Sequence, residues 1–585
     1  MTFFQENWNI TTKSMRLFGN PVILLTCLVF GLLTYACNRK SAIPPDIPPV
    51  ELAIDTPNAV PDLPFDAWIS KSIALPASYD DVPQETRLKA VDILVNFSNH
   101  ITKVSRYIYG NNANCYTGWM QNDAALMQKI NNLSMGVMRI PGGSISDIFF
   151  WDRKGVYDNY TLKSYDPPVN DVPLTITPWA GRRIQDFENW SMGVDQYYQM
   201  MQQTGSTGLV TVNYGYARYG MGPNPVSEAA HLAANWVRAD NGKSKFWEIG
   251  NEVFGSWEAG YEIDQSLNKD GQPKIITGDL YGKHCLVFID SMRQAAREIG
   301  KDIYIGAVCL EAANSGFANW NKDLIAHVGG KADFYIVHSY FTPYQGNSTA
   351  DVILNSPLMI SGYKSYVQSE LIAQGKNPAP VFLTEWNIFA EGSKQQVSFI
   401  DGIHATLVLG ELIKNKYEVA SRWDLANGWN SGNDHGLFST GDEPGVSRFA
   451  ARPSFYYLYY FQKYFGDMLV EATSSNSDVM VYASQFSSGE GGIVIVNKSA
   501  VDLISELTLK NFKPGTRYYT YTLTGGTDNG EFSRKVYVNG NSTSTDGGGP
   551  ENYESIKPKS SAIHGNIKLF LPKYSVIHIL VDNKH

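Results

Sequence analysis

Two glutamates close β-favouring runs of the sequence and could act as a pair. Glu252 ends the run "KFWEIGNE" at residues 245–252, and Glu385 lies within "PVFLTEWNI" at residues 380–388. Glycoside hydrolysis requires two opposed carboxyl groups, because one protonates the leaving oxygen while the other attacks the anomeric carbon. The two glutamates are therefore a candidate acid/base and a candidate nucleophile, if the fold brings them together.

The elements around the glutamates predict that they do meet. From about residue 90, β-rich runs alternate with amphipathic helical stretches, a pattern typical of parallel βα units. Eight candidate strands can be counted, at residues 104–110, 136–143, 208–215, 245–252, 302–310, 333–341, 380–388 and 419–428. Eight such units predict an α/β fold, a (β/α)8 TIM barrel. Active sites of these barrels lie at the C-terminal ends of the strands, so strands four and seven would bring both glutamates to one mouth.

A second domain follows the barrel, for which we expect residues 90–465. Residues 466–585 contain short alternating runs separated by Gly, Asn and Ser. This pattern predicts an antiparallel β-sandwich. A strand from residues 65–99 is expected to join that sandwich and tie the two domains together.

The motifs resemble those of known enzymes. "WEIGNE" and "LTEWN" are similar to the acid/base and nucleophile motifs of retaining glycoside hydrolases of clan A, and "RIPGGS" with "EAAHLAANWV" resembles the family-51 α-L-arabinofuranosidases in particular, over roughly residues 90 to 585. The resemblance implies that Glu252 is the acid/base and Glu385 the nucleophile. It also implies that Asn251 donates to a sugar hydroxyl beside the scissile bond and that Arg139 lies by the nucleophile.

Two positions depart from the family-51 pattern. Ser144 stands where those enzymes usually have asparagine, and Thr384 stands where an acidic residue usually precedes the nucleophile. Other clan members, namely β-xylosidases and the endo-acting red-algal β-agarases and porphyranases, therefore stay open as alternatives. A non-catalytic glycan-binding surface lipoprotein is the alternative from another class, and the presence of both glutamates stands against it.

Further residues at predicted strand ends suit a sugar site. In "IVHSYF", Tyr340 could bond the nucleophile, and His338 could orient the acid/base or bind sugar. Trp423 ends strand eight, where clan enzymes often place a tryptophan as the floor of the sugar site, and Trp429 follows in the next loop. Aromatic planes suit these positions because sugar rings present apolar C–H faces.

The two glutamates are expected to differ in charge. Arg139 is expected to hold Glu385 as a carboxylate, whereas Glu252, whose motif contains no cation, is expected to stay protonated. Glu248, deeper in strand four, is expected to be a buried, paired carboxylate.

The composition excludes several classes of function. The chain has 585 residues, of which 43% are hydrophobic and 13% aromatic, so it encodes a folded protein. Its net charge of -9 argues against a nucleic-acid partner. Cys115, Cys285 and Cys309 lack CxxC or Cys/His spacing, so neither a disulfide framework nor a zinc site is indicated, and we expect no metal or cofactor.

The N-terminus resembles a bacterial lipoprotein signal, which we assign to residues 1–37. An apolar run at residues 21–33 follows basic Arg16 and is shorter than the about 20 residues that a membrane-spanning helix needs. The resemblance implies that Cys37 becomes the lipidated first residue. Residues 38–64 are dense in proline, which predicts an extended spacer. We therefore expect an outer-membrane lipoprotein of a bacterium, periplasmic or facing the cell surface, whose partners are a membrane and an oligo- or polysaccharide.

Overall fold

The computed structural model describes residues 55–158, 161–183, 189–317, 319–429, 435–543 and 545–583. The expected signal segment, Cys37 and the first part of the expected spacer lie outside the described residues. Within the described ranges, no helix combines the length and the apolar character that crossing a bilayer demands.

Eight parallel strands form a barrel. They are β1 (Gly110–Asn112), β2 (Val137–Ile140), β3 (Thr207–Val212), β4 (Ser244–Ile249), β5 (Tyr304–Val308), β6 (Phe334–Ser339), β7 (Val381–Trp386) and β8 (Ser421–Arg422). Hydrogen bonds connect the strands in the order β7-β6-β5-β4-β3-β2-β1-β8, and a bridge from Leu383 to Ala420 closes the ring. The prediction of a TIM barrel is confirmed.

The first barrel strand begins later than predicted. Residues Arg106–Tyr109, inside the predicted strand at 104–110, form a short 3-10 helix instead. The side chain of Ser105 accepts a hydrogen bond from the backbone N–H of Tyr107 at 3.1 Å. Such a local side-chain bond offers the backbone an alternative to the strand ladder.

Helices surround the barrel. They are α1 (Ala124–Asn132), α2 (Val194–Thr204), α3 (Gly215–Tyr219), α4 (Pro225–Asp240), α5 (Gly278–Ile299), α6 (Trp320–Val328), α7 (Ala350–Asn355), α8 (Ile360–Ala373), α9 (Phe399–Lys414) and α10 (Pro453–Tyr464). In α5, Thr277 caps the first turn by accepting from the backbone N–H of Leu280, and Gly300 ends the helix at φ 63°. Its buried Cys285, Phe288 and Met292 recur at three and four residues and pack toward the barrel.

The second domain is an eleven-stranded sheet that contains strands from both sides of the barrel sequence. Its strands are Asp80–Asp81, Val91–Lys103, Met468–Ser474, Val479–Gln485, Gly491–Asn497, Leu503–Lys510, Pro514–Gly525, Val536–Val538, Lys559–Ala562, Ile567–Leu571 and Ser575–Asn583. Alternate residues of its strands, among them Val91, Ile93, Ile493 and Ile577, share one buried core.

The segment expected to join the two domains is the long strand Val91–Lys103. It pairs antiparallel with Met468–Ser474 and parallel with Leu503–Lys510. The sheet is therefore mixed rather than purely antiparallel. Because the strand precedes the barrel and its neighbours follow it, the two domains are joined by both ends of the barrel.

Shorter elements complete the fold. An insertion after β2 forms three strands at Phe149–Asp158, Thr161–Asp166 and Trp179–Arg182, and the remaining strands are Ala426–Asn427, Phe438–Ser439 and Asp528–Glu531. Further 3-10 turns are Pro64–Asp66, Met120–Asn122, Gly143–Ile148, Ser315–Phe317 and Ser356–Met359.

The described part of the proline-rich segment, residues 55–64, packs on the folded body. The side-chain amide of Asn58 donates to the backbone oxygen of His100 at 2.9 Å. Just beyond, the ring of Phe65 lies edge-on to Tyr304, 4.6 Å between centroids, at the N-terminal end of the barrel. This part of the expected spacer is thus bound to the folded domain, because the polar side chain of Asn58 finds partners there.

Candidate active site

Glu252 and Glu385 face each other at the C-terminal end of the barrel. Glu385 belongs to β7, whereas Glu252 lies three residues beyond Ile249, the last residue of β4. One oxygen of each carboxyl group lies within 4.8 Å of the other. Retaining glycosidases hold their carboxyl groups about 5–5.5 Å apart and inverting ones about 6.5–9.5 Å apart, so the observed spacing fits direct attack.

A tight turn after β4 places Glu252. Gly250 and Glu252 both have left-handed backbone conformations, with φ of 79° and 41°. A Cβ atom on Gly250 would lie 2.5 Å from a Val253 side-chain atom, so the turn requires glycine there. Left-handed backbone is unfavourable for glutamate and is found where a side chain must be aimed at a site.

Glu385 is buried and has a hydrogen-bond donor on each oxygen. Nη1 of Arg139 donates to Oε2 at 2.9 Å, and the hydroxyl of Tyr340 donates to Oε1. The pKa of Glu385 is raised, because burial and the charge of Glu252 outweigh the positive charges of His338 and Arg139 and the hydrogen bond from Tyr340, which oppose the rise. These contacts favour the carboxylate that a nucleophile needs.

Arg139 of β2 links the residues of the site and is fully buried. Besides Glu385, it donates through Nε to Glu248 Oε2 at 2.7 Å and through Nη2 to Asn251 Oδ1 at 2.8 Å. Glu248 also accepts from the hydroxyl of Thr211 at 2.9 Å, so it is a buried, paired carboxylate. The rigid, planar guanidinium thus fixes the position of Asn251 relative to the candidate nucleophile Glu385.

Glu252 has a histidine partner that its sequence motif did not reveal. Nδ1 of His338 lies 3.0 Å from Glu252 Oε1, and Nε1 of Trp257 donates to Oε2 at 3.0 Å. Burial raises the pKa of Glu252, but the hydrogen bond and charge of His338 outweigh burial and leave the pKa below its ordinary value. The expectation that Glu252 stays protonated is therefore wrong, because His338 of β6, which was expected to orient the acid/base, lowers the pKa of Glu252 from a distant point of the sequence.

His338 touches both glutamates. Its Nδ1 is also 3.7 Å from Glu385 Oε2, and its Nε2 is 3.1 Å from the hydroxyl of Thr384. Burial lowers the pKa of His338, but the carboxylates of Glu385 and Glu252 outweigh burial and leave the pKa raised. These opposite directions favour a proton on His338 beside an ionised Glu252.

Asn251 is held at three points. Its amide oxygen accepts from Arg139, its amide nitrogen donates to Glu258 Oε1 at 2.9 Å, and its backbone N–H donates to Asp147 Oδ2 at 3.0 Å. Burial raises the pKa of Asp147 to about 7, although backbone donors such as Asn251 oppose that rise. The amide of Asn251 thus has one defined orientation toward the glutamates.

A cavity of about 700 Å³ opens above the glutamates. Its walls are Tyr116, Gly142, Gly143, Ser144, Ile145, Asn251, Glu252, Trp257, Tyr340, Tyr344, Glu385, Phe389 and Trp423. The indole of Trp423 lies under the two glycines, and a Cβ atom on Gly143 would be 2.6 Å from it. The glycines of "PGGS" therefore let the backbone pass directly over the ring.

A second cavity of about 510 Å³ continues from the first. The two share Glu252, Trp257, Tyr340, Tyr344 and Phe389 in their walls. Trp257 and Tyr344 are 59% and 69% exposed, so their ring faces are available to a ligand on either side of Glu252. The cleft therefore extends beyond a single sugar.

Several site residues were not found from the sequence. Trp257 lies in the loop after β4, only five residues beyond Glu252, and Tyr344 lies in the loop after β6, so loop position was the available signal for both. Glu258 lies behind Asn251 at 5% exposure, and Glu311 enters the second cavity from the loop after β5.

Trp429, expected to bind substrate, does not line either cavity. Its backbone N–H donates to Asp442 Oδ2 at 2.9 Å. Of the other expected substrate-binding residues, Asn251, His338, Tyr340 and Trp423 lie in the cavity walls, whereas Arg139 is fully buried and lines neither cavity.

Within the described residues, Glu252, His338 and Glu385 also form a group whose ligand atoms lie within 4.8 Å of one another, close enough for a cation. The guanidinium of Arg139, 2.9 Å from Glu385, already supplies positive charge there and would repel an added cation. The donor set therefore fits a hydrogen-bonded acid and nucleophile better than a metal centre.

A TIM barrel with one glutamate just after strand four, a second in strand seven, and an arginine and a tyrosine on the second resembles the retaining glycoside hydrolases of clan A. In its motifs the chain resembles the family-51 α-L-arabinofuranosidases. Comparison with known proteins agrees with this resemblance.

Among curated proteins, the intracellular exo-α-(1→5)-L-arabinofuranosidase of Streptomyces lividans is 22% identical over 321 residues, which are 50% of this chain and only 41% of that protein. No family model matches the chain.

Solved structures with the same fold include the α-L-arabinofuranosidase of Thermotoga maritima in complex with arabinose, with a TM-score of 0.59, 17% identity and coverage of 84% of this chain and 100% of that chain. The family-51 α-L-arabinofuranosidase of Thermotoga petrophila has a TM-score of 0.60 and 17% identity, and the match covers 84% of this chain and 100% of that chain. A family-44 xyloglucanase of Paenibacillus polymyxa has a TM-score of 0.53 and 14% identity, and the match covers 85% of this chain and 100% of that chain.

Proposed function

We propose that the protein is a retaining glycoside hydrolase of the α-L-arabinofuranosidase type that degrades plant or algal polysaccharide. The observation that carries the proposal is the pair Glu252 and Glu385, whose oxygens approach within 4.8 Å in two different hydrogen-bond environments. Glu385 accepts from Arg139 and Tyr340, as a carboxylate nucleophile does. Nδ1 of His338 lies 3.0 Å from Glu252 Oε1, so the two side chains together can hold the proton that a leaving group needs.

The proposed reaction has two displacements. In the first, Glu385 attacks the anomeric carbon while Glu252 protonates the glycosidic oxygen, so that the carbon–oxygen bond breaks and the aglycone leaves as an alcohol. A glycosyl ester of Glu385 results. In the second, Glu252 takes a proton from water, the water oxygen attacks the same carbon, and Glu385 leaves. Two inversions retain the configuration of the sugar.

The charge of the cleft favours a neutral substrate. Among the described residues that line the two cavities, the charged groups are the carboxyls of Glu252, Glu311 and Glu385 and the imidazole of His338, which is paired with Glu252, and neither Lys nor Arg contributes to the walls. A sulfated or uronic unit would meet like charge there. This supports an arabinofuranosyl or xylosyl substrate over the sulfated galactan of a porphyranase, and the two exposed rings of Trp257 and Tyr344 suit neutral sugar faces.

The proposal is tested with protein that begins at residue 55, incubated with arabinan, arabinoxylan, xylan, agarose and porphyran. We expect new reducing ends from the arabinose- or xylose-containing polymers, and early NMR spectra of an aryl glycoside digest that show the retained anomer. The double variant Glu252→Gln, Glu385→Gln is the matched control. Binding without release of sugar would instead identify a glycan-binding protein, and the inverted anomer would contradict the mechanism.

We also propose that Cys37 anchors the protein in the outer membrane, facing the periplasm or the cell surface. The support is the sequence alone, namely the short apolar run followed by "TYAC". Cys37→Ser should move the protein from the membrane fraction to the soluble fraction with unchanged activity per molecule. Tight membrane association of that variant would indicate an uncleaved helix.

A further inference from the structure

Glu258 is a buried carboxyl group that contacts two residues of the cavity wall. The hydroxyl of Ser144 donates to its Oε1 at 2.8 Å, and the amide nitrogen of Asn251 donates to the same oxygen at 2.9 Å. Glu258 itself is 5% exposed and does not line the cavity, whereas Ser144 and Asn251 do. Any effect of Glu258 on a ligand must therefore pass through these two neighbours.

The bonds to Glu258 determine what its neighbours can offer a sugar. A serine hydroxyl has one hydrogen, so Ser144, which donates that hydrogen to Glu258, can only accept from a ligand. Asn251 uses its oxygen on Arg139 and one amide hydrogen on Glu258, so only its second amide hydrogen remains to be donated. The wall thus presents one acceptor and one donor on either side of Glu258.

A sugar hydroxyl fits this arrangement, because it both donates and accepts. We propose that Glu258 is a specificity-determining positioning residue, an inference that rests on the proposed function. Glu258 makes Ser144 an acceptor and Asn251 a donor for a sugar hydroxyl on the carbon next to the anomeric carbon. Ser144 is where the chain departs from the family-51 motif, so the pair of Ser144 and Glu258 distinguishes this cleft from those of enzymes with asparagine there.

The protonation of Glu258 agrees with this role. Burial raises the pKa of Glu258 well above its ordinary value, and the charges of Asp147 and Glu252 add to the rise, while the bonds from Ser144 and Asn251 oppose it. Both bonds reach Oε1, and no described residue donates to Oε2. A proton on Oε2 leaves Oε1 as the acceptor, so a neutral side chain of the same shape can take the place of Glu258.

The test compares two substrates across variants. The kcat/KM of wild type, Glu258→Ala, Glu258→Gln and Ser144→Ala is measured on the 4-nitrophenyl glycoside that wild type cleaves and on its 2-deoxy analogue, after subtraction of spontaneous hydrolysis. We expect Glu258→Ala to lose about 10- to 100-fold on the hydroxylated substrate, the range for a hydrogen bond to a charged or strongly polar group, and less than about 3-fold on the deoxy analogue. Glu258→Gln should stay within about 3-fold of wild type on both, because its amide oxygen still accepts.

A purely structural role gives a different result. If Glu258→Ala lost the same factor in kcat/KM on both substrates, the proposal would be overturned. Where Glu258→Ala does not fold, the same comparison is made with Ser144→Ala. The control is Asp240→Asn, a buried carboxyl that accepts from Ser244 at the other end of β4, which should affect neither substrate. Calorimetry measures the affinity of wild type for the two glycosides without turnover, so this test works even if wild type cleaves neither of them. Equal affinity of wild type for both glycosides would overturn the proposal.

Discussion

The Nδ1 atom of His338 lies 3.0 Å from Oε1 of Glu252, while the other ring nitrogen faces the hydroxyl of Thr384. A hydroxyl carries no charge, so the imidazolium form of His338 is stabilised by the two glutamates and not by residue 384. The acid/base and the histidine therefore titrate as one unit that binds a single exchangeable proton.

The first prediction concerns pH. The raised pKa of His338 means that the pair keeps its proton above the ordinary pKa of histidine, 6.5, and loses it as the pH rises further. Activity should fall on that alkaline side, because Glu252 then has no proton to donate. In the variant His338→Gln the imidazole no longer binds the proton, so the fall of kcat/KM at alkaline pH should begin at a lower pH than in wild type. An unmoved limb would show that His338 does not share the acid proton.

The second prediction concerns the nucleophile. Glu385→Ala should lower kcat by more than the about 10⁴-fold that general acid–base catalysis supplies, because no group remains to form the glycosyl ester. Added azide should not restore a product of retained configuration. Measurable retained product from this variant, with a circular dichroism spectrum like that of wild type, would assign the nucleophile elsewhere.

The third prediction separates the roles of the two glutamates. Glu252→Ala should lose about 10²- to 10⁴-fold on natural glycosides, but much less in the first step on aryl glycosides with good leaving groups, which need no protonation. A burst of released nitrophenol followed by slow turnover is the expected time course. If Glu252→Ala and Glu385→Ala behaved alike on such a substrate, the role assignment would be wrong.

The fourth prediction concerns stability. Burial lowers the pKa of His578 to about 3 from the ordinary 6.5. Between these values the unfolded chain binds a proton that the folded protein does not, so stability falls as the pH drops. His578 should contribute a loss of about 2 kcal/mol between pH 7 and pH 5. Urea unfolding of His578→Phe should show a smaller loss than wild type, while His231→Gln, exposed on α4, should match wild type.

Much of the barrel was predictable because its signals are local. Each β-rich run is short, apolar and bounded by turn residues, and a parallel barrel brings the ends of such runs to one face. Glu252 and Glu385 could therefore be paired from sequence order alone. Tyr340 also followed from its position at a strand end, whereas the place of Arg139 beside Glu385 was implied by the resemblance to the clan A enzymes.

Other features could not be read from local patterns. His338 was expected to orient the acid/base or bind sugar, but its lowering of the Glu252 pKa depends on the register and side-chain geometry of separate strands, which periodicity does not encode. Glu258 follows β4 in a loop, where a glutamate ordinarily points to solvent. Trp429 has an aromatic side chain of the kind that stacks on sugars, but aromatic residues serve packing and binding equally well. Only the position of Trp429 relative to the cavity distinguishes the two roles.

The strand Val91–Lys103 is translated before the barrel, yet both of its sheet neighbours, Met468–Ser474 and Leu503–Lys510, are translated after it. At about 5 to 20 residues per second, the strand waits on the order of tens of seconds on the ribosome before either neighbour emerges. Its alternate apolar residues have no sheet partner during that interval. The second domain therefore cannot be completed before the barrel has been synthesised, and a chain that terminates before Met468 has an unpaired strand at Val91–Lys103.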